Sequence, residues 1–480
     1  MEERKGFGSN FGFLMAAVGS AVGLGNIWGF PNKMGANGGF TFLVIYLILA
    51  ACCGIIVMVG ELALGRKTGR GAVGAYQVLS KKFKWLGWLG ILSAFLILFF
   101  YCALGGYCIK YVVLNVGDLF GASFGSNGLD GAGVFGAFMG NQMEAVIYGL
   151  IFVLLTMIIV MGGIGGGIEK VCSVGMPALF VILLICIIRA CTLPGAVDGL
   201  KYMFVPGWAL ENGVIKEAPD FLTVLATAGG QMFFSLSLGM AAMITYGSYL
   251  DKKQDLGKST MIIVGMDTVV ALMAGLCVIP GRFALDPNGA LGGPELLFIT
   301  MQNVFDKMGP AGPVFGILFY LLVFFAAISS SISMLEVIVA HFCDKAREKG
   351  KGDRRKLYSA IVVVICAALC ALVCADGMGS NHISPAELLG LAGAKLPGWS
   401  TSWLGLFDSV AEGLLMPLGA LLMCLMISWE LKPDALRQEI LLNGENRPWV
   451  YDFFRLCVKY ITPLCMLMIL YGQISDFFIA

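Results

Sequence analysis

The chain has 480 residues, 58% of them hydrophobic and 13% charged, with a mean hydropathy of +0.85, whereas soluble domains hold roughly 45–50% apolar residues. Such a chain belongs in a lipid bilayer, and a formal net charge of +1 leaves no basic arm or acidic tail for nucleic acid or another highly charged partner. The 15 Cys lie almost wholly in apolar runs without metal-ligand spacing, and no nucleophile, base or metal cluster stands out, so enzyme chemistry is not expected and the thiols read as small packing residues.

Crossing about 30 Å of hydrocarbon takes about 20 helical residues. Stretches of that kind occur at 10–32, 40–64, 87–115, 144–163, 171–193, 221–249, 259–281, 311–342, 357–375, 404–429 and 451–474, which predicts eleven spans. The first follows MEERKGFGSN without a small-x-small cleavage site, and is therefore expected to be a mature span rather than a removed leader. Lys and Arg crowd segments 66–84, 252–258, 345–356 and 432–447, while Arg189, Lys201, Lys216, Arg282, Lys307 and Lys395 lie toward the alternate loops. Basic residues favour cytoplasmic loops. The N-terminus is thus expected inside a cell inner membrane or plasma membrane, and the tail SDFFIA outside. The long outer loops, 116–143, 194–220, 282–310 and 376–403, are rich in Gly, Pro and Asn and read as lids. Within one of them, 292–300 and 303–308 form either a short helical hairpin over the external face or an ordered loop.

Two spans are interrupted at mid-membrane. Span 1 places Gly19, Gly23 and Gly25 around Asn26; span 6 places Ser235, Ser237 and Gly239 at a similar depth. Gly costs about 1 kcal/mol relative to Ala in a helix, and backbone freed from its ladder is expensive in lipid unless it lines a site. Close-packing glycines are the plainer alternative. A broken first and sixth span, with five spans in each set, points to inverted repeats around a transport site: one transporter domain, 1–480, with repeats 10–193 and 221–429 and an extra helix at 449–475. Exposed carbonyls there suit a cation, and free N–H groups suit a carboxylate. Span 8 adds Ser329, Ser330 and Ser331, hydroxyls that either bond back to their own helix or line an oxygen cage for a hard monovalent cation.

The run SAVGLGNIWGFP, followed by GELALGR (60–66) and later SLSLG, resembles the neurotransmitter:sodium symporter family, and its bacterial amino-acid transporters with eleven spans in particular. That resemblance covers nearly the whole chain. It implies an all-α integral membrane protein of the LeuT type, and sodium-coupled symport of a neutral, hydrophobic or aromatic amino acid by alternating access. Other readings are a non-transporting amino-acid receptor on the same scaffold and a carrier of a cationic amino acid. Carried over by motif, one sodium site would use Ala21, Asn26, Ser235 and Asp267; the other would use Gly19, Val22, Ala326, Ser329 and Ser330. Tyr101, Leu24 and Gly25 would hold the substrate carboxylate, and Ala21, Phe234 and Ser235 its ammonium. The substrate side chain would meet Ile97, Phe234, Ser237, Met240, Ser330 and Met334. Gly23 stands where monoamine carriers of the family have an Asp. An inner gate would pair Arg4 with Asp344, braced by Tyr249 and Glu336, and Gly167 with Pro177 fits a span-5 pattern that permits unwinding.

Two positions depart from the family pattern. Gly29 replaces the outer-gate arginine, so Asp408 loses its expected partner; either Tyr101 and Phe234 close the outside, or Asp408 meets a cationic group on the substrate. Asp267 stands where an Asn is usual, while Ala271 occupies the place of the acid found in chloride-independent relatives. Two sodium ions and no chloride are expected.

Overall fold

The computed structural model describes residues 7–288, 293, 295–351, 354–391, 398–441 and 448–479; among these, every regular element is helical. Among the described residues, nine helices are long and apolar enough to cross a bilayer: Phe40–Thr68, Leu86–Phe120, Gln142–Met161, Ile164–Cys191, Leu256–Leu285, Gly309–Glu348, Arg355–Gly379, Trp403–Leu431 and Trp449–Ser475. They are spans 2 to 5 and 7 to 11. Span 1 is a pair of helices, Asn10–Ala21 and Gly25–Ala36, bent by 45°. Span 6 is likewise split, into Phe221–Ser235 and Ala242–Gly247. The chain is a multi-pass membrane protein.

Apolar side chains divide between two environments. Spans 4 and 5 bury only a third of their apolar window (33% each), and Ile147, Leu154, Ile158, Val174, Val181 and Ile188 stand exposed. A belt of large apolar side chains costs nothing against lipid and would be prohibitive in water. Span 3, by contrast, is mostly enclosed (72%) and packs along span 8 at the centre of the bundle. Spans 1 and 6 are lined by Gly, Ala and Ser, whose small side chains let the backbones approach.

The GELALGR run of span 2 has a structural purpose. Glu61 is buried and its Oε1 accepts the Gly239 N–H at 2.7 Å, satisfying backbone that the break in span 6 sets free. Arg66, one and a half turns on, is buried against Glu439, donating from Nε at 2.8 Å, and reaches the Gln254 carbonyl at 2.7 Å. The motif thus ties span 2 to the loop before span 7 and to the helix Asp434–Ile440.

The lid segment differs from the hairpin expectation. Residues 296–306 form one continuous helical run, Leu296–Thr300 leading into Met301–Asp306. LLFITMQNVFD holds neither Gly nor Pro to turn on. Its Leu297, Phe298, Met301, Val304 and Phe305 recur at helical spacing and are all buried, with Phe298 5.1 Å from the Tyr111 ring and Phe305 5.4 Å from that of Phe319. Just before it, Gly293 meets span 1: its N–H donates to Asn32 Oδ1 at 2.6 Å, and its carbonyl accepts from Trp28 Nε1 at 3.3 Å.

Candidate ion and substrate site

The helix of span 1 stops at Ala21 because Val22 turns extended (φ −69°, ψ 100°). Carbonyls of the last turn are then taken up by side chains from elsewhere. Ser330 Oγ donates to Gly19 O at 3.3 Å and Ser20 O at 3.1 Å. Ser329 Oγ lies 3.0 Å from Ala326 O and 3.4 Å from Val22 O. Four carbonyls and two hydroxyls from spans 1 and 8 therefore converge, and the five residues carried over to the second sodium site are neighbours. The three span-8 serines divide: Ser329 bonds its own helix and also reaches the break, Ser330 reaches the break, and Ser331 bonds Ile328 O at 3.0 Å and lies 3.0 Å from Thr156 Oγ1 of span 4.

Span 6 breaks through left-handed backbone at Ser237 (φ 54°), Gly239 (φ 77°) and Ala241 (φ 66°). For a non-glycine residue this costs about 1–2 kcal/mol, so the conformation has to be held. Ser237 Oγ donates to Ser20 O at 2.7 Å, which pins one break to the other, and the Glu61 contact pins the far side.

Asp267 of span 7 lies between the two breaks and is completely buried. Its Oδ1 accepts from Asn26 Nδ2 at 2.8 Å, and its Oδ2 from Ser235 Oγ at 2.8 Å, with the Tyr46 hydroxyl at 3.5 Å. Asn26 also donates to the Asp267 carbonyl at 3.0 Å and accepts the Gly23 N–H at 3.0 Å. Every one of these donors is neutral. A carboxylate taken out of water at a cost of several kcal/mol is compensated only by good hydrogen bonds together with a positive charge, and the oxygen-rich surroundings suit a hard monovalent cation.

Beside this cluster, Tyr101 of span 3 accepts the Leu24 N–H on its hydroxyl at 2.6 Å. A Cβ on Gly23 would fall 2.2 Å from that hydroxyl and 2.3 Å from Ser330 Oγ, so residue 23 has no room for a side chain. Phe234 packs edge-on to Tyr101, ring centroids 6.2 Å apart. Ile97, Met240 and Met334 are buried in spans 3, 6 and 8 without a polar contact tying them to this cluster.

The sequence matches the Sodium:neurotransmitter symporter family over residues 4–119 and 138–478. The chain belongs to that family. Among relatives, it is 34% identical over 479 residues to the uncharacterized sodium-dependent transporter YhdH of Bacillus subtilis (strain 168), covering 97% of each chain. It is 25% identical over 525 residues to the sodium-dependent serotonin transporter of Drosophila melanogaster, covering 99% of this chain and 77% of that one. The crystal structure of MhsT in complex with L-phenylalanine superposes with a TM-score of 0.83 at 33% identity, covering 98% of this chain and 100% of that one. The fold is therefore of the LeuT type, with spans 1 and 6 broken where the glycine and serine pattern places the breaks.

Within this symporter frame, Gly29 lies against Gln231 of span 6. A Cβ on residue 29 would lie 2.8 Å from Gln231 Oε1, and Gln231 Nε2 donates to Gly25 O at 2.6 Å; in this arrangement the amide leaves an arginine no space. One turn further along, Lys33 is ion-paired with Glu412. Both partners stand four residues further along than Gly29 and Asp408, and the Lys33 Nζ also lies 5.9 Å above the Phe234 ring. Toward the opposite face, Tyr249 donates to Glu336 Oε1 at 2.7 Å. Arg355 bonds both Glu336 oxygens, with Nη2 3.1 Å from Oε1. Asp344 accepts the Gly71 N–H at 3.1 Å, and Arg4 lies outside the described residues. Sequence reading missed Lys33, Glu412, Gln231 and Arg355; the one available signal was a charge displaced by four residues on both span 1 and span 10.

Proposed function

We propose that the chain is a sodium-coupled symporter importing a neutral amino acid with an apolar or aromatic side chain by alternating access. The observation that carries this reading is Asp267: a wholly buried carboxylate held by neutral donors alone, between the two broken helices. With Ala21, Asn26 and Ser235 it forms the first sodium site, and because it supplies the negative charge itself, transport needs no chloride. Gly19, Val22, Ala326, Ser329 and Ser330 form the second. Leu24, Gly25 and Tyr101 receive the substrate carboxylate, while Ala21, Phe234 and Ser235 receive its ammonium. Ile97, Phe234, Ser237, Met240, Ser330 and Met334 line the side-chain pocket, whose methionines suit varied apolar shapes. Binding of L-phenylalanine by MhsT supports that substrate class, and the steric closure at Gly23 argues against a monoamine.

Lys33 and Glu412 form the outer gate over Phe234, taking the role left vacant at Gly29; this makes a cationic substrate the weaker reading, since a lysine already serves the span-10 carboxylates. Tyr249, Glu336, Arg355 and Asp344 belong to the cytoplasmic gate, with the N-terminus inside. Each sodium entering gains about 2.3 kcal/mol per 100 mV and about 1.4 kcal/mol per tenfold gradient, so two ions sustain accumulation on the order of 10⁵-fold. Uptake of a panel of radiolabelled amino acids into proteoliposomes, with sodium or potassium outside and chloride or gluconate as anion, tests the proposal. Sodium-dependent uptake of apolar amino acids in gluconate is expected. Binding without uptake would establish a receptor, and dependence on chloride would refute the role given to Asp267.

A further inference from the structure

The first turn of span 1 is fastened to span 5 by a single carboxylate. Glu169 closes the π-helical turn Ile164–Glu169 at the start of span 5. Its Oε2 accepts the Gly8 N–H at 2.8 Å and its Oε1 accepts from the Ser9 hydroxyl at 3.1 Å. Ser9 Oγ in turn accepts the Gly12 N–H at 2.9 Å and caps the helix Asn10–Ala21. A Cβ on residue 12 would sit 1.8 Å from Glu169 Oε1, so only glycine there lets the carboxylate lie against the helix. An anion in this position also meets the positive end of the helix dipole.

The same face of span 5 follows the half-helix to its far end. Cys172 Sγ and Met176 Cγ lie 3.1 and 3.5 Å from where a Cβ on Gly19 would be, next to a carbonyl assigned above to sodium. Around Glu169, span 5 is poorly built as a helix. Five of the six residues 162–167 are Gly, Gly163 is left-handed (φ 77°), the turn is π-helical, and Pro177 removes a ladder bond further on.

We infer that Glu169 is a positioning residue that latches the first half of span 1 to span 5. While span 5 is wound, the carboxylate holds Gly8, Ser9 and Gly12 in place and span 5 stays packed against Gly19. Unwinding of 162–177 carries the carboxylate off, so that one event frees both ends of the half-helix. This rests on the transport reading only for the assignment of sodium to Gly19; the latch itself is a contact between two segments.

Hydrogen–deuterium exchange of the full chain in nanodiscs, paired with sodium titration, tests it. In Glu169→Ala, loss of two hydrogen bonds is expected to raise exchange across 7–21 by about five- to tenfold and to raise the sodium concentration giving half-maximal protection. Glu169→Gln keeps the acceptor oxygen and is expected to stay near wild type. Gly12→Ala, which displaces the carboxylate while leaving it in the chain, is expected to match Glu169→Ala, and the double variant to be no worse than either. Unchanged exchange in Glu169→Ala or in Gly12→Ala, or additive effects in the double variant, would overturn the latch. Altered exchange in a wild-type background that shows no sodium-dependent uptake would instead uphold the latch and defeat the transport reading.

Discussion

Replacing Lys33 by alanine attacks the outer gate at the point where charge and burial coincide. Glu412 would be left with 7% of its side chain exposed and Lys33, now 20% exposed, would be gone. Stripping one partner from a buried ion pair costs about 3–5 kcal/mol, and the residual access of Lys33 to solvent puts this pair at the lower end. Loss of the cation over the Phe234 ring adds roughly 0.5–1 kcal/mol. The closed arrangement should therefore lose about 3 kcal/mol relative to the open one, a factor on the order of 100 in that equilibrium. The readout is the release rate of a bound radiolabelled amino acid from purified protein in saturating sodium, which is expected to rise by a comparable factor while the protein still elutes as a folded species. Reversing the pair, Lys33→Glu with Glu412→Lys, is expected to recover most of the loss, giving an interaction energy above about 1 kcal/mol in the double-mutant cycle. A release rate in Lys33→Ala equal to wild type, or a reversed pair no better than the single variants, would refute the gate.

Three further variants probe the rest of the site. Asp267→Asn keeps the bonds to Asn26 and Ser235 in outline but removes the charge; the sodium giving half-maximal uptake is expected to rise about 100-fold, with new stimulation by chloride, and an unchanged sodium titration would defeat the assignment. Gly23→Asp is expected to abolish amino-acid uptake in a folded protein, because the side chain would overlap the Tyr101 hydroxyl and Ser330 Oγ; retained uptake would show that the site opens there. Arg355→Ala leaves Glu336, which is wholly buried, without its cation, at about 3 kcal/mol. Efflux from loaded vesicles is expected to speed relative to uptake, and symmetrical slowing of both would mean that the contact is merely structural.

How far the sequence reveals this arrangement depends on whether a feature is local. Spans announce themselves through 20-residue apolar runs, and the breaks through Gly and Ser where a helix former would be expected, because both signals lie within one segment. The lid was harder: LLFITMQNVFD carries helical periodicity, but it lies in a loop rich in Gly, Pro and Asn that drew attention to turns. Contacts between distant segments were legible only through resemblance. Asn26 meets Asp267 across 241 positions, a pairing that no periodicity foretells. Lys33 and Glu412, 379 positions apart, were invisible even to resemblance, since both have moved off the positions where it looks. Arg355 was hidden differently, as one of three consecutive basic residues, Arg354, Arg355 and Lys356, that read as loop charge until the fold turned one of them inward to Glu336.

The bond from Leu24 to the Tyr101 hydroxyl has a consequence for any ligand of this site. The N–H proposed to receive a substrate carboxylate already has a partner, built into the protein and never diluted. An incoming amino acid must displace that internal competitor, so its measured affinity is the difference between two bonds rather than the strength of one. Tyr101→Phe would remove a ligand and a rival together, and its effect on binding should be smaller than the loss of a hydroxyl suggests. Such self-occupation also keeps this polar cluster satisfied whenever no ligand is bound.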